Sequence, residues 1–391
     1  MPEAADTRIP LCVPVIGDAE RAYVAEAMAS GWVAFGSYLP RFEAALCEAT
    51  GSPHAFAIVN GTSALHISLL LAGVRPGDAV VVPTVTFVAS VNAIRYTGAE
   101  PIFMDCDEYL GLDVEKLETF LAEECDAADP VPVHSATGRP VRAVMPVHVF
   151  GNPCDTAAIL ASAKTRSVAV VEDAAEALGS RYTAGLLAGT AAGTSAPLGA
   201  LSFNANKLVT CGGGGAILAR DAASVERAAY LSAQAKDDGL RSVHNEVGYN
   251  YRLSNLHAAI GLAQVERLAE LLAHRTRMLA RYRELLDGVP GLGWIEDRPG
   301  TAPNHWFFGL VVSDEFGATR DDVMDELFAG NIECRPLWHC NHLQKAFSHC
   351  SAYRIERAPH FESTVLNVPC GADLTDEDVA RVCGAVLRAR R

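Results

Sequence analysis

The sequence predicts an α/β protein with a large, mostly parallel β-sheet, followed by a smaller α+β domain. Apolar runs alternate with helical patterns over the first two thirds of the chain, and these runs are apolar at successive positions. Strands that are apolar on both faces are typical of parallel sheets covered by helices on both sides. We therefore expect an N-terminal arm and large domain over residues 1–253 and a connecting helix and small domain over residues 254–391.

The strands of the large domain are predicted from runs of Val, Ile, Ala and Phe at 55–59, 79–82, 101–104, 143–147, 168–171, 200–203 and 216–218. The helices between them are predicted at 63–72, 88–96, 114–123 and 156–163. Pro, Gly and Thr interrupt the alternation at 126–140 and 183–197, which we expect to be surface loops.

The small domain is predicted to begin with one long helix. Ser254 is a typical N-cap residue, apolar positions recur at helical spacing over 255–287, and a segment rich in Gly and Pro follows at 288–291. A strand is expected near 306–312, with helices near 321–329 and 376–389.

The composition excludes several classes of function. Half of the 391 residues are hydrophobic, and the formal net charge is −15. No basic patch is dense enough to follow a phosphate backbone, so we expect no nucleic-acid partner. We also expect no membrane span, since no segment approaches the roughly 20 apolar residues required. The first 14 residues do not have the pattern of a secretory signal.

The cysteines favour a cytoplasmic protein without a structural metal. They are eleven in number, scattered, and form no C-x-x-C pair, so we expect reduced thiols. The densest group of possible metal ligands has a spacing that matches no structural zinc motif, so no metal site is predicted; it comprises His339, Cys340, His342, His349 and Cys350.

Three groups of residues could support catalysis. The first is Asn60–Ser63, which follows an apolar strand and opens a helix. A helix start attracts anions such as phosphate, although an ordinary helix cap has the same sequence. The second is Glu172 with Asp173, at the end of a buried strand. An acid there needs a partner, such as a metal or a protonated ring nitrogen, unless it is only a helix cap.

The third group is Lys207, which lies after a strand that ends near Ser202 and before a run of glycines at 212–215. A lysine held unprotonated can form a Schiff base, whereas most lysines simply lie at the surface. Neither a nucleotide P-loop pattern nor a dinucleotide fingerprint is present, which disfavours a nicotinamide oxidoreductase. Together, a phosphate site, a buried acid and a lysine are what pyridoxal 5′-phosphate requires.

The sequence resembles the DegT/DnrJ/StrS family of pyridoxal-phosphate sugar aminotransferases over nearly its whole length. The motifs that carry the resemblance lie at Gly31–Val33, Asn60–His66, Pro76–Ile94, Pro146–Asp155, Val171–Ser180, Ser202–Lys207 and Gly248–Gly261. The resemblance implies the PLP-dependent transferase fold type I, like aspartate aminotransferase.

The resemblance also implies roles for individual residues. Lys207 would hold the cofactor aldehyde and move protons, Asp173 would pair with the ring nitrogen, and Phe87 would stack on the ring. Glu176 stands near the ring hydroxyl, where the family usually has Gln or His. The cofactor phosphate would be held by Thr62, Ser63 and Ser202.

Other residues implied by the resemblance belong to the subunit interface and the substrate pocket. Asn250 would reach the phosphate bound in a neighbouring subunit, so the enzyme would be a homodimer with shared active sites. Trp32 and His342 align with segments that line the sugar pocket. His148 could equally be a packed strand residue or a site residue.

The substrate implied is a nucleotide-linked keto sugar, with glutamate as the amino donor, in amino-sugar or surface-glycan biosynthesis. Segments 9–14 and 335–338 and the glycine run most resemble the branch acting on UDP-linked 4-keto-6-deoxy-N-acetylhexosamines. The segment 181–199, beside the substrate entrance, is longer than expected for the family. Two alternatives are a sugar dehydratase on the same fold, which carries His in place of Lys207, and a non-catalytic regulatory paralogue.

Overall fold

The computed structural model describes residues 7–126 and 131–390. Part of the predicted loop at 126–140 and the start of the N-terminal arm therefore lie outside the described residues. The helices are α1 (Asp18–Ala29), α2 (Tyr38–Thr50), α3 (Gly61–Leu71), α4 (Val88–Tyr96), α5 (Val114–Glu123), α6 (Thr156–Thr165), α7 (Ala222–Ser232), α8 (Asn255–Glu266), α9 (Leu268–Leu286), α10 (Arg320–Ala329), α11 (Ala358–Thr364) and α12 (Asp376–Arg388).

The strands of the first part of the chain are β1 (His54–Ile58), β2 (Ala79–Pro83), β3 (Glu100–Met104), β4 (Cys125–Asp126), β5 (Val133–His134), β6 (Arg139–Val144), β7 (Ala169–Asp173), β8 (Arg181–Tyr182), β9 (Leu198–Ser202) and β10 (Gly215–Ala219). Those that follow are β11 (Lys236–Asp238), β12 (Val243–His244), β13 (Leu292–Trp294), β14 (Thr301–Ala302), β15 (Phe308–Val312), β16 (Arg335–Pro336), β17 (Ala352–Tyr353) and β18 (Val365–Val368).

The central sheet confirms the predicted α/β fold class. It is 10-stranded, with the order β1-β10-β9-β7-β6-β2-β3-β17 and β4 and β5 attached beside β6. Pairing is parallel from β9 to β17 and antiparallel where β10 joins β1 and β9. Every residue of β2 is buried, because helices cover both faces of the sheet.

One predicted strand is shifted. Residues 143–147 were expected to form it, but β6 ends at Val144, and Val147 makes only a single bridge to Asp173. Pro146 lies between them and has no N–H to donate to a ladder, which explains the early end of the strand.

The long helix predicted over 255–287 is two helices that meet at Arg267. Ser254 caps α8 as predicted, with its Oγ accepting from the His257 N–H at 3.4 Å. Helix α8 packs on α1 and α2, whereas α9 packs on α12. The break lets each half follow the surface of a different domain, and the Arg267 guanidinium pairs with Glu20 and Glu270 there.

The small domain is built on a 4-stranded antiparallel sheet with the order β13-β15-β18-β16. Two segments cross the proposed boundary at residue 253. Strand β17 returns to the large sheet and pairs with β3, and Ile9 of the arm pairs with Ile332. Among the described residues, no helix is long and apolar enough to cross a membrane.

Candidate active site

A cavity of about 750 Å³ opens at the carboxyl ends of β7 and β9, beside the start of α3. This is the edge of a parallel sheet at which α/β proteins bind ligands. Its wall includes predicted residues from the large domain, namely Thr62, Phe87, Asp173, Glu176, Ser202 and Lys207. The N-terminal arm and the small domain contribute further wall residues, which include Cys12, Trp306, Arg335, Trp338 and His339.

Asp173 presents its carboxylate to this cavity from the end of β7. Its Oδ2 accepts a hydrogen bond from Ser90 Oγ at 2.6 Å, and its Oδ1 accepts one from the Ala175 N–H at 3.0 Å. Burial raises the pKa of Asp173, and the hydrogen bond from Ser90 opposes this shift. The carboxylate is therefore held in place, with a preference for a cationic partner.

Glu172 has no part in the cavity wall. Its oxygens accept the N–H groups of Gly193 at 3.1 Å and Ala196 at 2.5 Å. The Nε2 atom of His148 lies 3.0 Å from Glu172, and His148 Nδ1 accepts the Cys154 N–H at 3.0 Å. His148 is fully buried and does not line the cavity, so it is a packed residue, although it lies after Val147 and outside any strand.

Lys207 projects into the cavity from the loop after β9. Its Nζ lies 3.3 Å from Glu176 Oε1 and 3.5 Å from the centroid of the Trp306 ring. The Trp306 indole Nε1 donates to the Asn206 carbonyl oxygen at 2.7 Å, which anchors the residue before the lysine. The small domain thus fixes the position of the lysine loop.

Glu176 is a buried acid beside this amine. Its Oε2 accepts the Phe150 N–H at 2.9 Å. Burial raises the pKa of Glu176 to about 7, although the positive charge of Lys207 opposes the shift. The carboxyl can therefore exchange a proton near neutral pH.

The start of α3, where an anion site is predicted, borders the cavity. Asn60 caps the helix through Oδ1, which accepts the Ser63 N–H at 2.8 Å. The first N–H groups of a helix have no partner within the helix, and Gly61 and Thr62 line the cavity here. A Cβ on Gly61 would lie 2.8 Å from the Ser202 Cβ, so a side chain at residue 61 would fill the space between the start of α3 and Ser202. Ser63 is buried and does not line the cavity.

Besides Ser63, three predicted residues do not reach the cavity of their own chain. Trp32 and Asn250 are exposed elsewhere on the surface. His342 Nδ1 lies 2.8 Å from Thr84 Oγ1, and its neighbour His339 lines the wall instead. The segment 181–199 does not line this cavity either, and part of it borders a second cavity of about 380 Å³.

The five possible metal ligands at 339–350 do not converge on one point. His339 Nδ1 lies 2.6 Å from Glu362, far in sequence, while His342 contacts Thr84. His349 and Cys350 instead approach Glu100, which is also paired with arginines 95 and 139. The histidines and cysteines of this segment therefore point to different places.

Sequence reasoning missed several wall residues. Ser90 lies one helical turn after Phe87, within the motif Pro76–Ile94. Helical spacing from Phe87 could therefore have identified it. Trp306 has no local signal, because its approach to Lys207 depends on how the C-terminal part of the chain packs.

The acid, the lysine and the glycine-lined helix start meet at one cavity, as a pyridoxal phosphate site requires. A family model described as the DegT/DnrJ/EryC1/StrS aminotransferase family matches residues 14–387. The chain is 35% identical to a GDP-perosamine synthase of Caulobacter vibrioides, over 97% of each chain.

Two further comparisons agree. The chain is 32% identical to the putative pyridoxal phosphate-dependent aminotransferase EpsN of Bacillus subtilis, over 97% of this chain and 95% of that protein. The crystal structure of DesI in the presence of its TDP-sugar product superimposes with a TM-score of 0.87 at 26% identity, covering 99% of this chain and 94% of DesI.

Proposed function

Because the chain belongs to the DegT/DnrJ/EryC1/StrS aminotransferase family, we propose that it transfers an amino group from glutamate to a nucleotide-linked keto sugar. It is a PLP-dependent aminotransferase with the type I fold. The observation that carries the proposal is the meeting of Lys207, Asp173 and the start of α3 at one cavity.

Pyridoxal phosphate, when bound, supplies an aldehyde that takes up the amino group and a ring that withdraws electrons. In the proposal, Asp173 holds the ring nitrogen protonated, because its carboxylate is fixed by Ser90 and the Ala175 N–H. The N-terminal N–H groups of α3, Thr62 and Ser202 hold the phosphate, and Phe87 covers the ring.

In this proposal, Lys207 and Glu176 carry out the proton transfers. The amine must lose its proton before it can act as a base or nucleophile. Glu176 Oε1, 3.3 Å away, can accept a proton, since burial raises the pKa of this carboxyl to about 7. The Trp306 ring limits the movement of Nζ and excludes water from one side.

A homodimer with shared active sites is the second part of the proposal. Asn250 and Trp32, which do not reach their own cavity, would then serve the neighbouring subunit's site. Trp32, Val33 and Phe35 expose 66%, 44% and 56% of their surface, and such a group of large apolar side chains is typical of an interface.

The similarities to known proteins guide our choice of the nucleotide in the proposed substrate. The motif resemblance favours a UDP-linked 4-keto-6-deoxy-N-acetylhexosamine, whereas the relative at 35% identity is a GDP-perosamine synthase. We give the GDP-linked keto sugar precedence because that similarity extends over 97% of both chains. Arg335 lies on the cavity wall, paired with Glu333, and its guanidinium is a cation available to an anionic substrate. A cytoplasmic location stays a prediction.

The reaction is tested by incubating the holoenzyme with glutamate and GDP-, UDP- or dTDP-linked 4-keto-6-deoxy sugars. Mass spectrometry should detect the amino sugar, with one 2-oxoglutarate formed for each product. Loss of water from the sugar without 2-oxoglutarate would indicate the dehydratase instead. Lys207→Ala should lose both turnover and the visible absorbance of the lysine-bound cofactor, and retention of both would refute the proposal.

A further inference from the structure

Cys12 lines the active-site cavity, and behind it lie Cys370, which follows β18, and Arg275 of α9. The Nη2 atom of Arg275 lies 3.3 Å from Cys12 Sγ. The backbone N–H of Cys370 donates to the Leu11 carbonyl oxygen at 2.7 Å, and its thiol donates to the Trp306 carbonyl oxygen at 3.4 Å. Cys12 itself lines the cavity and is half-buried.

Arg275 is a buried cation that needs an anion nearby. Only 2% of its surface is exposed, its Nη1 donates to the Trp306 carbonyl oxygen, and its Nε is buried without a partner. Within residues 7–126 and 131–390, no carboxylate forms an ion pair with it. Burying an unpaired charge is costly, and a thiolate at Cys12 would compensate it.

The electrostatics at Cys12 agree with this geometry. The neighbouring Cys370 side chain and the charge of Arg275 lower the pKa of Cys12 to about 6, against the effect of burial, whereas burial raises the pKa of Cys370. Burial raises the pKa of Cys350, which is also half-buried, to about 11. Thiolates react with oxidants and alkylating agents, whereas thiols do so slowly.

We propose that Cys12 and Cys370 form a peroxide-reactive thiol pair that closes to a disulfide at the active-site wall. The Cys12 thiolate attacks hydrogen peroxide, the O–O bond breaks, and Cys12 becomes a sulfenic acid while hydroxide leaves and takes a proton to become water. Cys370 then loses its proton and attacks the Cys12 sulfur. The S–O bond breaks, the S–S bond forms, and a second water leaves.

The backbone positions allow this bond. The 2.7 Å contact between the Cys370 N–H and the Leu11 carbonyl brings the two chains side by side. Standard bond lengths then keep the Cα atoms of Cys12 and Cys370 within about 7 Å. A disulfide spans roughly 4.4–6.8 Å between Cα atoms, so only a small adjustment is needed.

The pair is close to the catalytic machinery of the proposed function. The Cys12 thiol donates to the carbonyl oxygen of Asn206, the residue before Lys207, at 3.3 Å, and ionisation or oxidation of the thiol removes this hydrogen bond. Oxidation would therefore change the contacts of the lysine loop. The thiol chemistry itself does not depend on the transaminase assignment, and its test does not use turnover.

The test treats the holoenzyme with hydrogen peroxide, removes the excess with catalase, and maps disulfides by non-reducing peptide mass spectrometry. The expected product is a Cys12–Cys370 crosslinked peptide that disappears on treatment with dithiothreitol. Cys350→Ser is the matched control and should give the same crosslink. Cys370→Ser should give no crosslink and leave a Cys12 sulfenic acid that dimedone traps. Absence of the crosslink from the oxidised wild type would overturn the proposal.

A second measurement uses only the wild-type holoenzyme, so it does not depend on the folding of a variant. Alkylation by iodoacetamide is followed at each cysteine as a function of pH. Cys12 should react at least tenfold faster than Cys350 at pH 7. Its alkylation rate should rise with pH with a midpoint at about pH 6. Slower reaction at Cys12 than at Cys350 would contradict the inference.

Discussion

Glu172 and Asp173 are adjacent on β7, yet their carboxylates have entirely different partners. Asp173 faces the active-site cavity and accepts from Ser90, whereas Glu172 faces His148 and two backbone N–H groups behind the sheet. Successive side chains of a strand point to opposite faces, so one acid is available to a cofactor and the other is part of the core.

The two acids should therefore respond differently to loss of charge. We expect Asp173→Asn to lower kcat by about 100-fold or more, since the ring nitrogen loses its anionic partner, with a small change in Tm. Glu172→Gln should instead destabilise the fold by about 2 kcal/mol, because an amide cannot accept from all of its buried donors. Steady-state kinetics and thermal unfolding of both variants separate these outcomes. If Glu172→Gln were inactive but had an unchanged Tm, the assignment of Glu172 to the core would be contradicted.

Ser90 should determine how tightly the cofactor binds. Ser90→Ala removes the 2.6 Å hydrogen bond to Asp173, so the pKa of that carboxyl should rise further. A hydrogen bond to a charged group contributes about 1.5–3 kcal/mol, which predicts at least about tenfold weaker pyridoxal phosphate binding. Absorbance titration of the cofactor-free protein measures this.

The matched control for Ser90 is Ser68. Its hydroxyl is equally buried but has no hydrogen-bond partner among the described residues. Ser68→Ala should leave the cofactor affinity within about twofold of the wild type, as no bond is lost. Equal weakening in both variants would show that Ser90 acts through packing rather than through Asp173.

Glu176 should make the cofactor-free protein less stable as pH rises. Its pKa is raised from 4.5 to about 7, so between these values the folded state holds a proton that the unfolded chain releases. Stability therefore falls across this range, by about 3 kcal/mol in total. Glu176→Gln cannot ionise, so its Tm should exceed that of the wild type at pH 8 and match it near pH 4.5. A pH-independent difference in Tm would contradict the role of ionisation.

The glycine run should tolerate alanine at one position and not at another. A Cβ on Gly215 would lie 2.5 Å from the backbone carbon of Asn60 and 2.7 Å from the Gly61 nitrogen. Gly215→Ala should therefore displace the start of α3, cost about 1–3 kcal/mol, and weaken phosphate binding. Gly213 has open space around its Cβ position, so Gly213→Ala should be nearly neutral. Thermal unfolding and cofactor titration test both variants, and similar losses would refute the steric argument.

Local patterns predicted many elements well. Helices α4 and α5 begin and end at the predicted residues, because apolar spacing and the Asp113 cap are local signals. The break at Arg267 was not predicted, since no Gly or Pro marks it and its cause is packing against two domains. The shifted end of β6 had a signal in Pro146, which lies within the predicted strand.

The predictions for the site also divide into residues with a local sequence signal and residues whose position depends on packing. Lys207, Asp173 and the start of α3 were identified from sequence, because each follows a strand and strand ends converge at one edge of the sheet. Trp32, Asn250 and His342 do not line the cavity of the single chain, so their predicted roles stay proposals.

The sequence by itself determined the fold class, the family and several of the central strands and helices, because these depend on local periodicity and short motifs, and it nominated Lys207 and Asp173 for the chemistry. Only the tertiary structure showed that the adjacent Glu172 is bonded in the core, and which distant groups surround the two acids. Ser90 and Asp173 are 83 residues apart, and Trp306 and Asn206 are 100 residues apart. Contacts over such separations follow from the packing of sheets and domains, and no local pattern encodes them.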